Sequence, residues 1–140
     1  MSAVFRLPLR VYYQDTDAGG IVFHAQYLAF MERARTELLN GAGLDLARMA
    51  DEERLLFVVF RAAVRYHRAA RLNEMLTVSA EIAKMNRASM LFRHRVEREG
   101  ELLVEADITV ALVSRDSMRP ARMPQALALK FAEELERAPK

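Results

Sequence analysis

One long amphipathic helix is set into a sequence that otherwise alternates mostly like strand. From His24 the apolar residues recur at intervals of three and four, at Leu28, Met31, Ala34 or Arg35, Leu38 and Leu39. Glu32, Arg33 and Glu37 give a charged side, and Gly41 and Gly43 end the pattern. The spacing predicts a helix of about 17 residues with one inner face. Before it, Phe5, Leu7, Leu9, Val11 and Tyr13 fall on one face, against Arg6, Pro8, Arg10 and Tyr12 on the other. That is a half-buried strand, and Pro8 places it at an edge or a bulge. After the helix, Leu44 to Met49 reads as a short extra turn and Asp51 to Arg54 as a solvated loop.

Four more strands follow. In Leu55 to His67, Phe60, Ala62, Val64 and Tyr66 oppose Arg61, Ala63, Arg65 and His67. A basic helical face through Arg61, Arg65, Arg68 and Arg71 is the rival reading, but the Val-Val-Phe entry and the Val64/Tyr66 pair favour strand. Leu76 to Ile82, Met90 to Val96 and Leu102 to Leu112 alternate in turn, with turn residues at Asn86-Arg87-Ala88-Ser89 and Glu99-Gly100-Glu101. These connections read as three consecutive hairpins. Pro124 opens a last helix with Leu127, Phe131 and Leu135 on one stripe. A single long helix must cover its apolar face with the sheet. The expected fold is α+β: an antiparallel sheet of about five strands wrapped around one central helix, with a short C-terminal helix, in a single domain over residues 1–140.

Composition narrows the chemistry. The chain has no Cys, so disulfides, thiolate metal sites and a cysteine nucleophile are excluded. Lys and Arg number 21 against 19 Asp and Glu, a net charge of +2, which gives no strong field for nucleic acid. The longest strongly apolar run, Leu55 to Phe60, is far short of the roughly 20 residues of a membrane span, and no signal-peptide core precedes it, so the cytoplasm is the expected location. A chain of 140 residues is also short for a self-contained dinucleotide-binding enzyme. An enzyme of this size is expected to share its pocket with a second copy.

P-loop, G-x-G-x-x-G, G-x-S-x-G and H-E-x-x-H motifs are absent. The chemistry-bearing residues gather between the first strand and the helix, in Tyr12-Tyr13-Gln14-Asp15-Thr16-Asp17-Ala18-Gly19-Gly20-Ile21-Val22-Phe23-His24-Ala25-Gln26-Tyr27. A helix start offers unpaired N–H groups and the positive end of a dipole, a seat for an oxyanion. Gly19-Gly20 allows close backbone approach. Asp15 and Asp17 equally suit turn or capping roles, His24 suits a plain cap-region histidine, and the three together suit a hard metal ion only if a further acidic cluster completes the shell.

Residues 13–27, together with Phe30-Met31-Glu32-Arg33-Ala34-Arg35-Thr36-Glu37, the Phe57-Val58-Val59 strand entry, Arg68-Ala69-Ala70-Arg71-Leu72 and Met118-Arg119-Pro120-Ala121-Arg122 before Pro124, resemble the 4-hydroxybenzoyl-CoA thioesterase branch of the hot-dog superfamily. Within that branch the likeness is to the YbgC-type acyl-CoA thioesterases associated with the Tol–Pal cell-envelope genes. The resemblance implies a homo-oligomeric acyl-CoA thioesterase without cofactor or metal. It implies Asp17 as nucleophile or general base, and the backbone N–H at His24 as the donor to the thioester oxygen. Asp15 would shape the loop. Gly20, Ile21, Val22 and Tyr27 would line the substrate site, joined by Val58 and Val59 from the neighbouring subunit. Arg87 and Ser89, near the Asn86 turn, would meet the CoA phosphates. The alternatives are a scaffold module that binds acyl-CoA or acyl carrier protein and organises phospholipid-synthesis enzymes, and a hot-dog hydratase or dehydratase, whose His-plus-acid arrangement is not reproduced here.

Overall fold

Strand pairing departs from a simple meander at one step. The computed structural model describes residues 4–136, with β1 (Phe5–Arg10), β2 (Leu55–Tyr66), β3 (Met75–Met85), β4 (Ser89–Arg98) and β5 (Glu101–Ser114) in one sheet. The order is β1-β3-β4-β5-β2, and every pairing is antiparallel. The β3–β4 and β4–β5 hairpins stand as expected. The third expected hairpin does not form: β2 pairs with β5, at the far edge from β3. The stretch 67–74 carries the chain across the end of the sheet. His67 N and Arg68 N both donate to Leu103 O, at 2.8 and 3.0 Å, and Asn73 N donates to Val11 O at 2.9 Å, so the crossing is tied to both sides. The tight β4–β5 turn, by contrast, puts Glu99 and Gly100 at φ 50° and 81°, the left-handed geometry that two-residue hairpins need.

The helix α1 (Gln26–Gly41) lies on one face of the sheet and begins two residues after His24. Its buried stripe is Tyr27, Phe30, Met31, Ala34, Arg35, Leu38 and Leu39. Leu28, expected inside, is 36% exposed. Tyr27 and Phe30, packed edge to face at 6.0 Å, fill the space over the sheet, and Leu28 sits about 100° round from Tyr27, at the rim. After a short α2 (Leu46–Arg48), the expected loop at Asp51–Arg54 is instead mostly a π-helical turn, Met49–Glu53. Buried Met49 anchors that turn and Arg54 closes it in the left-handed region. The last helix, α3 (Gln125–Glu136), buries Leu127 and Phe131, the latter edge-on to Phe57 at 6.1 Å. The side chain of Leu135 lies outside the described residues.

Two further expectations are corrected. Tyr13 does not continue the inner face of β1; it is 83% exposed in a 3-10 turn. The buried Asp15 carboxylate accepts Tyr12 N at 2.8 Å and turns the chain away. In β2, Phe60 is not on the face of Ala62, Val64 and Tyr66. Val59 pairs with Val110 and Arg61 with Thr109, so Phe60 is an extra, bulged residue, 76% exposed. A bulge shifts the alternation by one. Phe57 and Val59 therefore share the helix-side face with Ala62, Val64 and Tyr66, opposite Leu112, Val110, Ile108, Ala106 and Val104. No described helix is long and apolar enough to cross a membrane.

Candidate active site

The segment between β1 and α1 is a small hairpin held by its own backbone. Thr16 bridges to Val22, Asp17 N donates to Ile21 O at 3.0 Å, and Gly20 N donates to Asp17 O at 3.0 Å. Gly20 adopts φ 79°, which closes the turn. Gly19 N donates to Asp17 Oδ1 at 2.8 Å, fixing the exposed carboxylate. A Cβ on Gly19 would stand 3.2 Å from that same oxygen, so a larger residue would push it. Gly19 thus serves close approach and Gly20 serves dihedral freedom.

Asp15 has a different task. Its Oδ2 takes Tyr12 N and its Oδ1 takes Gln26 Nε2 at 2.9 Å, while its carbonyl takes Phe23 N at 2.9 Å. At 5% exposure it pins the hairpin to the start of α1. Each of its oxygens is thus engaged in holding the loop. No group of three or more His, Cys, Asp or Glu side chains among the described residues is placed to hold a metal ion.

The helix start is open. Its first residue, Gln26, follows Ala25, whose side chain caps nothing. Among the described residues, no acceptor takes the backbone N–H of His24 or of Ala25. The His24 carbonyl is held by the Tyr66 hydroxyl, which donates to it at 2.9 Å. That bond fixes the peptide between His24 and Ala25, at the positive end of a 16-residue helix. Two unpaired donors at such a place are suited to seat an oxyanion.

A groove of about 310 Å³ runs beside this seat, lined by Ile21, Val22, His24, Tyr27, Tyr66, His67, Arg68 and Ala69. Tyr27 is buried, and its hydroxyl accepts Ala70 N at 2.9 Å. Burial, the largest influence, raises the pKa of that phenol. Tyr66 packs edge-on to Tyr27 at 5.8 Å and to His24 at 6.5 Å. Of the residues expected at the site, Ile21, Val22, His24 and Tyr27 line the groove; Asp17 lies across the hairpin from Ile21, and Gly20 is in its turn. Val58 and Val59 lie on β2 and do not line this chain's groove. Val59 instead lines a separate cavity against α1. Arg87 and Ser89 are on the β3–β4 turn, where Asn86 bonds both the backbone and the hydroxyl of Ser89. Tyr66, His67 and Arg68 were not foreseen; the β2 alternation located Tyr66 on a face but not beside the helix start.

The comparisons with known proteins agree on a family. The model of the thioesterase superfamily matches residues 19–105, the span from the glycine turn into β5. The chain belongs to the thioesterase superfamily. It is 44% identical over 134 residues to the acyl-CoA thioester hydrolase YbgC of Escherichia coli O6:H1, covering 94% of this chain and 98% of that one. It is 41% identical over 127 residues to the acyl-CoA thioesterase YbgC of Haemophilus influenzae, covering 91% and 93%. Among solved structures, a probable thioesterase from Bartonella henselae superposes with a TM-score of 0.82 at 31% identity, over 86% of this chain and 99% of the other. The hot-dog thioesterase fold expected from the resemblance is therefore the fold of this chain, five antiparallel strands around one long helix.

Proposed function

We propose that this chain hydrolyses acyl-CoA thioesters, with Asp17 attacking or activating water and the His24 N–H receiving the carbonyl oxygen. The observation that carries the reading is the open helix start at His24 and Ala25, next to the hairpin that fixes the Asp17 carboxylate. The two most similar relatives described above are named acyl-CoA thioester hydrolase and acyl-CoA thioesterase. In the reaction, the acyl carbon gains a C–O bond from Asp17 or from water, the C–S bond breaks, and the CoA thiolate takes a proton. Through the Asp17 nucleophile, water then cleaves the acyl–aspartyl anhydride. A positioned base contributes roughly 10²–10⁴ in rate, and one oxyanion donor roughly 10²–10³.

Asp17 and His24 are both exposed in the single chain. A water-restricted site needs a second wall, and β2 is suited to supply it. It is a 12-residue edge strand with Val59, Phe60 and Tyr66 exposed at 56, 76 and 48%. A long apolar edge is a template for pairing. Antiparallel pairing of two β2 strands about their midpoint would bring Leu55–Val59 of a second copy against the Tyr66 end of this one, and so Val58 and Val59 of that copy toward this groove. The substrate is of short to medium acyl length, aromatic acyl groups included. Arg87 and Ser89 are the proposed contacts of the CoA phosphates.

The test is release of free CoA thiol from a panel of acyl-CoA esters, from short aliphatic to aromatic, with matched acyl-pantetheine esters alongside. Turnover of at least one acyl-CoA is expected, with an Arg87→Ala variant raising KM for the CoA ester and not for the pantetheine ester. No hydrolysis across the panel would overturn the reading. Single-turnover hydrolysis in ¹⁸O water separates the two routes: label in the Asp17 carboxylate requires the nucleophile.

A further inference from the structure

Arg35 is a cation inside the core with no carboxylate in direct ion-pair contact; the charge of Glu32 acts on it only from a distance. Arg35 points from α1 toward β4 and is only 9% exposed, yet none of the ion pairs among the described residues includes it. Among the described residues its one hydrogen-bond partner is His94, whose Nε2 lies 3.2 Å from Arg35 Nη1. His94 is fully buried, and its Nδ1 lies 2.9 Å from Ser79 O. A carbonyl only accepts, so Nδ1 carries the proton and Nε2 is a neutral acceptor toward Arg35. The imidazole therefore supplies no counter-charge. A buried guanidinium without one is costly, and it has further N–H donors to offer.

Those donors are not sealed off. No fully buried side-chain nitrogen or oxygen among the described residues lacks a partner, and Arg35 lines a cavity of about 130 Å³ whose walls include Leu39, Phe57, Val59 and Phe92. Glu32 is also at this cavity, exposed to solvent and outside ion-pair range of Arg35. The volume is about four times a water's share of liquid volume, room for a carboxylate and one or two methylenes. Val59, on the free edge of β2, borders it. In the β2-paired assembly proposed above, this edge faces the groove of the second copy.

We propose that the Arg35 cavity is a recognition pocket for a carboxylate at the far end of a short acyl group, the acyl part of a dicarboxylic thioester. Apolar walls hold the methylenes, and the guanidinium fork pairs with the terminal carboxylate. His94 positions Arg35 from behind and does not touch the ligand. The inference rests on the thioesterase reading for its substrate, but the pocket is testable apart from it.

The experiment compares succinyl-CoA with butyryl-CoA, equal in carbon number and differing in the terminal carboxylate. Both are assayed with wild type and with Arg35→Met, and succinate and butyrate are assayed as free ligands by thermal shift at matched ionic strength. The wild type is expected to favour succinyl-CoA at least tenfold in kcat/KM, mainly through KM. Arg35→Met should lower that preference at least tenfold, and succinate should raise the wild-type melting temperature more than butyrate. If Arg35→Met fails to fold, Arg35→Lys, which keeps the charge and loses the fork, must still weaken the preference. Hydrolysis of butyryl-CoA without that preference, or an unchanged preference in a folded Arg35 variant, overturns the pocket and leaves the thioesterase reading standing. Succinate binding lost in the Arg35 variant, with no thioester cleaved, overturns the reading and leaves the pocket standing.

Discussion

Replacing His94 by Gln should flatten the loss of stability in mild acid. His94 is fully buried between Phe92 and the Arg35 guanidinium. Burial first, and then the Arg35 charge, push its pKa from 6.5 down to about 3. The folded chain thus refuses a proton that the unfolded chain accepts. A base with a depressed folded pKa contributes stability that is complete above the unfolded value and lost as pH falls below it. The window here runs from about 6.5 down to about 3. Within it the slope approaches about 1.4 kcal/mol per pH unit. Integrated from pH 7.5 to 4.5, the loss attributable to this one imidazole is about 2–3 kcal/mol. Glutamine keeps an acceptor for Arg35 and does not titrate. Comparing the variant with the wild type isolates the contribution of this one side chain. Urea unfolding of wild type and His94→Gln at the two pH values measures it. The stability gap between them should shift by about 2–3 kcal/mol in favour of the variant at pH 4.5. A gap that stays the same at both pH values would refute the buried, neutral imidazole.

Three substitutions probe the site. Tyr66→Phe removes the donor to His24 O while keeping the ring; kcat should fall about tenfold, the equivalent of about 1.4 kcal/mol, with KM little changed, as read by CoA release. Gly20→Ala meets no atom within 4 Å but must hold φ 79°, so chemical denaturation should show a cost of about 1–2 kcal/mol and the assay a matching loss of turnover. Tyr27→Phe leaves the buried Ala70 N–H without its acceptor and should cost about 1–3 kcal/mol of stability.

The residues that chose the fold were local and therefore readable. The 3.6-residue period ending at Gly41 marked α1, Pro8 marked β1 as an edge, and period two marked five strands. Alternation reports which face a residue is on, not which strand lies beside it. The swap of β2 to the β5 edge depends instead on Leu103 O accepting two amides of the crossing segment, a long-range fact. The bulge at Phe60 was equally hidden, since an apolar residue fits either face, and without it Val59 and Tyr66 cannot share the helix side. At the site, the Asp-Thr-Asp-Ala-Gly-Gly run located the hairpin, but the roles of its two carboxylates separate only in space: Asp15 turns inward to Gln26, Asp17 outward to Gly19. Tyr66 reaches His24 from 42 positions away. His94 sat at an inward position of its strand in the alternation, but its pairing with Arg35 joins residues 59 apart.

The most direct measurement is acyl-CoA hydrolysis by Asp17→Asn beside the wild type. Asparagine keeps an oxygen for Gly19 N–H, so the hairpin and the melting temperature should hold while the nucleophile or base is lost. A fall in kcat of at least about a hundredfold with an unchanged melting temperature is expected. Activity within a few-fold of wild type in the folded variant would contradict the role of Asp17 and the chemistry built on it.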